Sequence, residues 1–148
     1  MSENNSYERN HEHWLMIGKT FLKCQRTMNK LLSPLDITIA QHEVLLNVYR
    51  NEGITHKELT NKLFVVKSNV SNLIKRLEQR NLVSIAKSNK DQRSKQLRLT
   101  PNGQELVAKS IAIQKKVVVA MMKDISADDL IATDRVMANA SESLDKLA

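Results

Sequence analysis

Four short polar residues fall within five positions, Ser68, Asn69, Ser71 and Asn72, and Lys75 follows them in a stretch that otherwise reads as a helix. Ser and Asn are poor helix formers, so this clustering costs helix stability with no structural return. Such side chains can, however, donate to and accept from the edges of bases. The charge around them fits that chemistry. Between Ile54 and Thr100 stand eleven cations, Lys57, Lys62, Lys67, Lys75, Arg76, Arg80, Lys87, Lys90, Arg93, Lys95 and Arg98, against only Glu58, Glu78 and Asp91. The segment therefore carries +8 while the whole chain carries +7, which leaves −1 for everything outside it. A basic patch confined to one compact unit is what binding to a phosphate backbone requires.

Other chemistries lack their parts. The chain has no Gly-rich phosphate loop, and no Ser or Cys with a plausible base and orienting group, so neither an enzyme nor a cofactor is expected. Cys24 lies on an apolar stripe, and Lys23 and Arg26 point elsewhere on the same helix, so a buried structural thiol is expected rather than a reactive one. The histidines are His11, His13, His42 and His56, and His42-Glu43 with Cys24 invites a zinc reading. Zinc needs several ligands converging on one point, and the stretch 102–123 holds no His or Cys and only Glu105 as an acid. No metal is expected.

The elements that must hold the polar cluster can be read in order. At 148 residues, with three Gly, two Pro and 3% aromatics, the chain suits one mainly helical domain. Nothing approaches ~18 consecutive apolar residues, the polar N-terminus lacks a signal-peptide core, and a lone Cys suits a reducing cytoplasm. Residues 1 to about 9 read as a frayed tail. From 10 to 32 the apolar residues Trp14, Ile17, Phe21, Cys24, Met28 and Leu31 form one helical stripe, which Ser33-Pro34 ends. Thr38 and Gln41 form a capping box that opens a helix to about Arg50, with Val44, Leu45, Val48 and Tyr49 as its apolar residues and Gly53 as the break beyond.

Thr55 and Glu58 form a second box, opening a short helix to about Leu63. Phe64-Val65-Val66 is a turn. The next helix spans about 67–80, with Val70, Leu73, Ile74 and Leu77 inward and Asn81 at its end in a left-handed conformation. Leu82 to Lys87 and Lys95 to Leu99 read as two strands of a ribbon about a turn at 88–91. Thr100-Pro101 caps a helix to about Lys123 carrying Leu106, Ile113, Val117 and Met121. Ser126 caps the last, which reaches Leu147 and carries Leu130, Ile131, Val136, Met137 and Leu144.

Helix, short helix, tight turn, helix and two-stranded ribbon is the order of a winged helix-turn-helix, whose second helix enters the major groove while the first crosses the backbone. The lettering resembles the MarR family of bacterial transcription regulators. The resemblance rests on Lys57-Glu-Leu-Thr-Asn-Lys-Leu63, Ser68-Asn-Val-Ser-Asn-Leu-Ile-Lys-Arg-Leu-Glu78, Asn81-Leu-Val83, Asp91-Gln-Arg93 and Leu99-Thr-Pro-Asn-Gly103. It covers about Thr38 to Gly103. Asn81 departs from it, standing where the family usually has Gly, but Asn is the next best residue for that helix end.

The resemblance implies a mainly α fold with a small β-wing, in which a winged helix-turn-helix over 38–101 is flanked by dimerisation helices at 10–32 and 102–147. It also implies a homodimer on double-stranded DNA carrying a pseudo-palindromic operator, and a repressor released by a small aromatic or anionic effector. Independently, the flanking helices carry more apolar surface than one reading head could cover. Lys67, Ser68, Asn69, Ser71, Asn72, Lys75 and Arg76 are then the helical part of the DNA site. Lys87, Lys90 and Lys95 are the phosphate contacts of the wing, along with Arg98. By resemblance Arg93 enters the minor groove and Asp91 braces its guanidinium. A thiol- or metal-sensing regulator of the same fold, or a winged helix used for protein contacts, is the alternative; the +8 head speaks against the last.

Overall fold

The structure, a computed structural model, describes residues 3–64, 69–88 and 94–148. The chain forms two compact units, 1–117 and 118–148. In the first lie α1 (Glu3–Leu32), α2 (Ile39–Arg50), β1 (Ile54–Thr55), α3 (His56–Lys62), α4 (Val70–Gln79), β2 (Val83–Lys87), β3 (Lys95–Leu99) and most of α5 (Pro101–Met121). α6 (Ala127–Asp145) lies in the second. This is a mainly helical chain with a small antiparallel sheet, as the sequence pattern implies.

The capping residues act as read. Thr38 accepts from the Gln41 amide while Gln41 accepts from the Thr38 amide, and the Thr55–Glu58 and Ser126–Asp129 boxes close in the same way. The Thr55 amide and hydroxyl both donate to Glu58, which holds its carboxyl below the usual range. Asn81 adopts φ 55°, and the chain leaves α4 through a Schellman turn. In it the Leu82 amide donates to the Leu77 carbonyl and the Asn81 amide to that of Glu78.

The sheet has three strands in the order β1-β3-β2, not the two of a simple ribbon. Two residues, Ile54 and Thr55, pair with Leu97 and Gln96; a strand that short carries no alternation to read. β2 and β3 pair from Val83 with Leu99 to Lys87 with Lys95. Val83, Ile85, Leu97 and Leu99 thus share the face that packs on the core, which also contains Leu32, Leu45, Leu59, Leu77 and Val107. Full burial of each such side chain contributes roughly 1.5–3 kcal/mol.

Further boundaries differ from expectation, among them the end of α6, at Asp145 rather than Leu147. α1 begins at Glu3, and no frayed tail extends to residue 9. The rings of Tyr7, His11 and Trp14 stack along it with centroids 5.8 and 5.5 Å apart, a helical ladder that a polar composition conceals. α5 ends at Met121, short of Lys123, with Asp124 at φ 62° beyond it. α4 starts at Val70 rather than Lys67, because Asn69 sits in the left-handed region at φ 62°.

Candidate nucleic-acid interface

α4 presents two unlike faces. Val70, Ile74 and Leu77 are buried and Leu73 is partly so, which fixes the helix on the core. Ser71 and Lys75 are exposed one turn apart on the opposite side, with Asn72 half-buried beside them. Asn69 lies just outside the helix and makes no side-chain cap. Among the described residues three helices have complete capping boxes, and α4 has none. The Asn69 and Asn72 side chains are thus not spent on capping α4 and remain available to a partner.

Of the other expected site residues, Arg76 follows Ser71 by five positions, about 140° around the helix. It lines an open cleft of about 490 Å³ with Asn29, Asp36, Thr38, Gln41 and Arg80, on the flank of the exposed polar face. Lys87 and Lys95 are exposed and directly opposed at the end of the β2–β3 ladder. Like charges so placed repel, and a polyanion would relieve that repulsion. Arg98 is engaged instead with Glu52 at 2.9 Å, which weakens its case as a phosphate contact. Lys67, Ser68, Lys90, Asp91 and Arg93, with Val65 and Val66 of the expected turn, lie outside the described residues.

Contacts invisible in the sequence tie this face to the rest of its unit. His56 Nε2 and Ser71 Oγ are 2.9 Å apart, joining the starts of α3 and α4. Sequence reasoning weighed His56 only as a metal ligand; its place directly after a capping Thr was the available signal. The Phe64 amide donates to the Glu43 carboxylate, and the exposed Phe64 ring packs edge-on against Phe21 of α1. Cys24 is half-buried and packs partly against the core. Among the described residues no group of three or more His, Cys, Asp or Glu converges, and no helix is long and apolar enough to cross a membrane.

His42 is buried on α2, only 2% exposed. The Ser110 hydroxyl donates to the Val107 carbonyl, so its oxygen accepts from His42 Nδ1–H at 2.9 Å. Among the described residues Nε2 has no hydrogen-bond partner, although Gln114 lies close enough to favour the charged ring. Burial outweighs Gln114 and Glu43, and with some help from Arg50 holds the pKa of the ring below 6.5. Above that value both folded and unfolded chains hold a neutral ring. As pH falls through it the unfolded chain takes up a proton that the fold resists, so stability falls. His42→Asn keeps a donor without a titrating ring. Its thermal midpoint should drop less than that of the wild type between about pH 7.5 and pH 5.5; equal drops would show that His42 does not contribute to acid lability.

Exposed polar residues on a helix held by a three-helix head, beside a basic antiparallel ribbon, define a winged helix-turn-helix protein. Residues 35–94 match the MarR family model. It is 32% identical over 83 residues to the organic hydroperoxide resistance transcriptional regulator of Bacillus subtilis (strain 168), a match that spans 56% of each chain. A MarR-like transcription regulator structure from Bacillus cereus ATCC 10987 superposes with a TM-score of 0.79 at 18% identity, over 93% of this chain and 99% of that one. A DNA complex of MepR from S. aureus gives 0.75 at 22% identity, over 90% and 94%.

Proposed function

We propose that this chain is a sequence-specific, double-stranded DNA-binding transcriptional regulator. It acts as a homodimer on a pseudo-palindromic operator, represses by occupying it, and is released by a small aromatic or anionic effector. The observation that carries the reading is the α4 surface, where Ser71, Asn72 and Lys75 stand outward on a helix whose other side is locked into the core. The MepR–DNA complex supports it, as a protein of the same fold that binds DNA, and so does the regulator role of the Bacillus subtilis relative.

The homodimer rests on what each unit leaves uncovered. α1 exposes Trp14, Met16, Ile17, Phe21 and Leu22. In the second unit no residue of α6 is buried, though it carries Leu130, Ile131, Val136, Met137 and Leu144. Apolar area on this scale marks an interaction surface, and a second copy is the commonest partner. Cys24 packs partly against the core as a structural thiol does, so we assign release to a ligand rather than to oxidation.

The test is selection of bound duplexes from a random pool, followed by titration of variants against selected and scrambled sequences. Asn72→Ala should cost about 1–3 kcal/mol at one or two operator positions and little on unrelated duplex. Arg93→Ala should weaken operator binding most where the flanks are A·T-rich. Asp91→Ala should reproduce part of that loss although it removes an acid, since its proposed role is to brace Arg93. Tighter binding by Asp91→Ala would overturn the bracing role, and failure to select any sequence would overturn the reading itself.

A further inference from the structure

The geometry points to His56 as a positioning residue for base recognition: its Nε2–H donates to Ser71 Oγ and thereby turns the Ser71 hydroxyl proton outward, toward the DNA. The inference rests on the DNA-binding reading and adds a residue to it. A serine hydroxyl has one proton and two lone pairs. If Nε2 accepted, that proton would be consumed between the two side chains, and Ser71 could offer DNA only lone pairs. If Nε2 donates, the proton is free for an acceptor such as guanine O6 or N7, adenine N7, thymine O4 or a phosphate oxygen. Phosphates are acceptors only, and their negative charge favours a donor facing them, so bound DNA selects the arrangement in which His56 donates.

The two residues are held for this purpose from opposite sides. His56 is the first residue of α3, whose start is locked by the Thr55–Glu58 box and whose Leu59 is fully buried. Ser71 follows the buried Val70 in the first turn of α4. Among the described residues neither side chain has another hydrogen-bond partner, and both are exposed. A hydrogen bond open to water contributes little to stability, so a clip between helices is a poor account of the pair.

The experiment compares wild type, His56→Ala, His56→Gln, Ser71→Ala and the double alanine variant on a selected duplex and a scrambled one. Gln retains a side-chain N–H donor. On the selected duplex each alanine variant should bind about five- to tenfold more weakly, the scale of one directed hydrogen bond. The double variant should be no weaker than Ser71→Ala alone, because the two residues act as one unit. His56→Gln should recover most of the affinity, and His56→Ala should relax preference at the same base pair as Ser71→Ala. Additive losses, or a His56→Ala loss shared equally by the scrambled duplex, would make His56 an ordinary phosphate contact and overturn the inference. If the wild type does not distinguish the two duplexes, the DNA-reading function itself fails, which is a separate result.

Discussion

Gly103→Ala is expected to lower the stability of this protein sharply, although it adds a single methyl group. A Cβ at Gly103 would lie 1.9 Å from the Leu82 carbonyl oxygen and 2.9 Å from its carbon. Both are backbone atoms, which cannot rotate aside. The carbonyl is also pinned by the Thr100 amide, which donates to it at 3.1 Å. Thr100 Oγ1 in turn donates to the Asn81 carbonyl at 2.6 Å and accepts from the Gly103 amide at 3.0 Å. The start of α5 is thus fastened to the exit from α4 at the point where the methyl group would intrude. Relief requires α5 to move as a body away from β2, which would open the core around Val107 and Leu82. We expect a loss of about 3 kcal/mol or more, seen as a fall in thermal midpoint of about 6–12 °C for a chain of this size. A midpoint within a degree or two of wild type would contradict the packing described here.

The second large effect concerns assembly. Trp14 and Ile17 are 66% and 51% exposed and lie outside the core of their unit, so charges there leave the fold intact. The double variant Trp14→Asp, Ile17→Asp should halve the mass seen by light scattering. It should also weaken operator binding by about 10²-fold or more, because two linked heads gain a high effective concentration that separate heads lack. Deletion of residues 1–32 is a harsher form of the same test. It also removes Met28 and Leu32 from the core and Asn29, whose side chain accepts from the Ile39 amide, and aggregation is the expected outcome. A folded, tightly binding monomer from either change would refute the homodimer.

These effects differ in how far the residues announce them. Thr38, Thr55 and Ser126 disclosed their helix starts because a capping box is a local device, complete within four residues. Asn81 disclosed the end of α4 because few residues tolerate a left-handed turn. The Gly103 constraint was visible only as a letter in a family pattern; its cause, the Leu82 carbonyl, is a tertiary contact. Likewise nothing local distinguishes His42, buried against Ser110 68 positions away, from a surface histidine. β1 escaped notice because its partner is 43 residues away and it is two residues long. In the candidate site, Ser71, Asn72 and Lys75 were legible from the amphipathic pattern of α4. The His56–Ser71 pairing and the diversion of Arg98 to Glu52 depend on how separate elements meet.

The central claim is that the +8 head reads DNA through phosphate anchors and a polar helix face, and salt dependence tests it most directly. Affinity for a selected duplex, measured across a series of salt concentrations, should fall with a log–log slope of about −5 to −9, the signature of roughly six to ten phosphates neutralised by two heads. A slope near zero on duplexes of any sequence would show that the basic residues of this head do not engage a phosphate backbone, and would contradict the account.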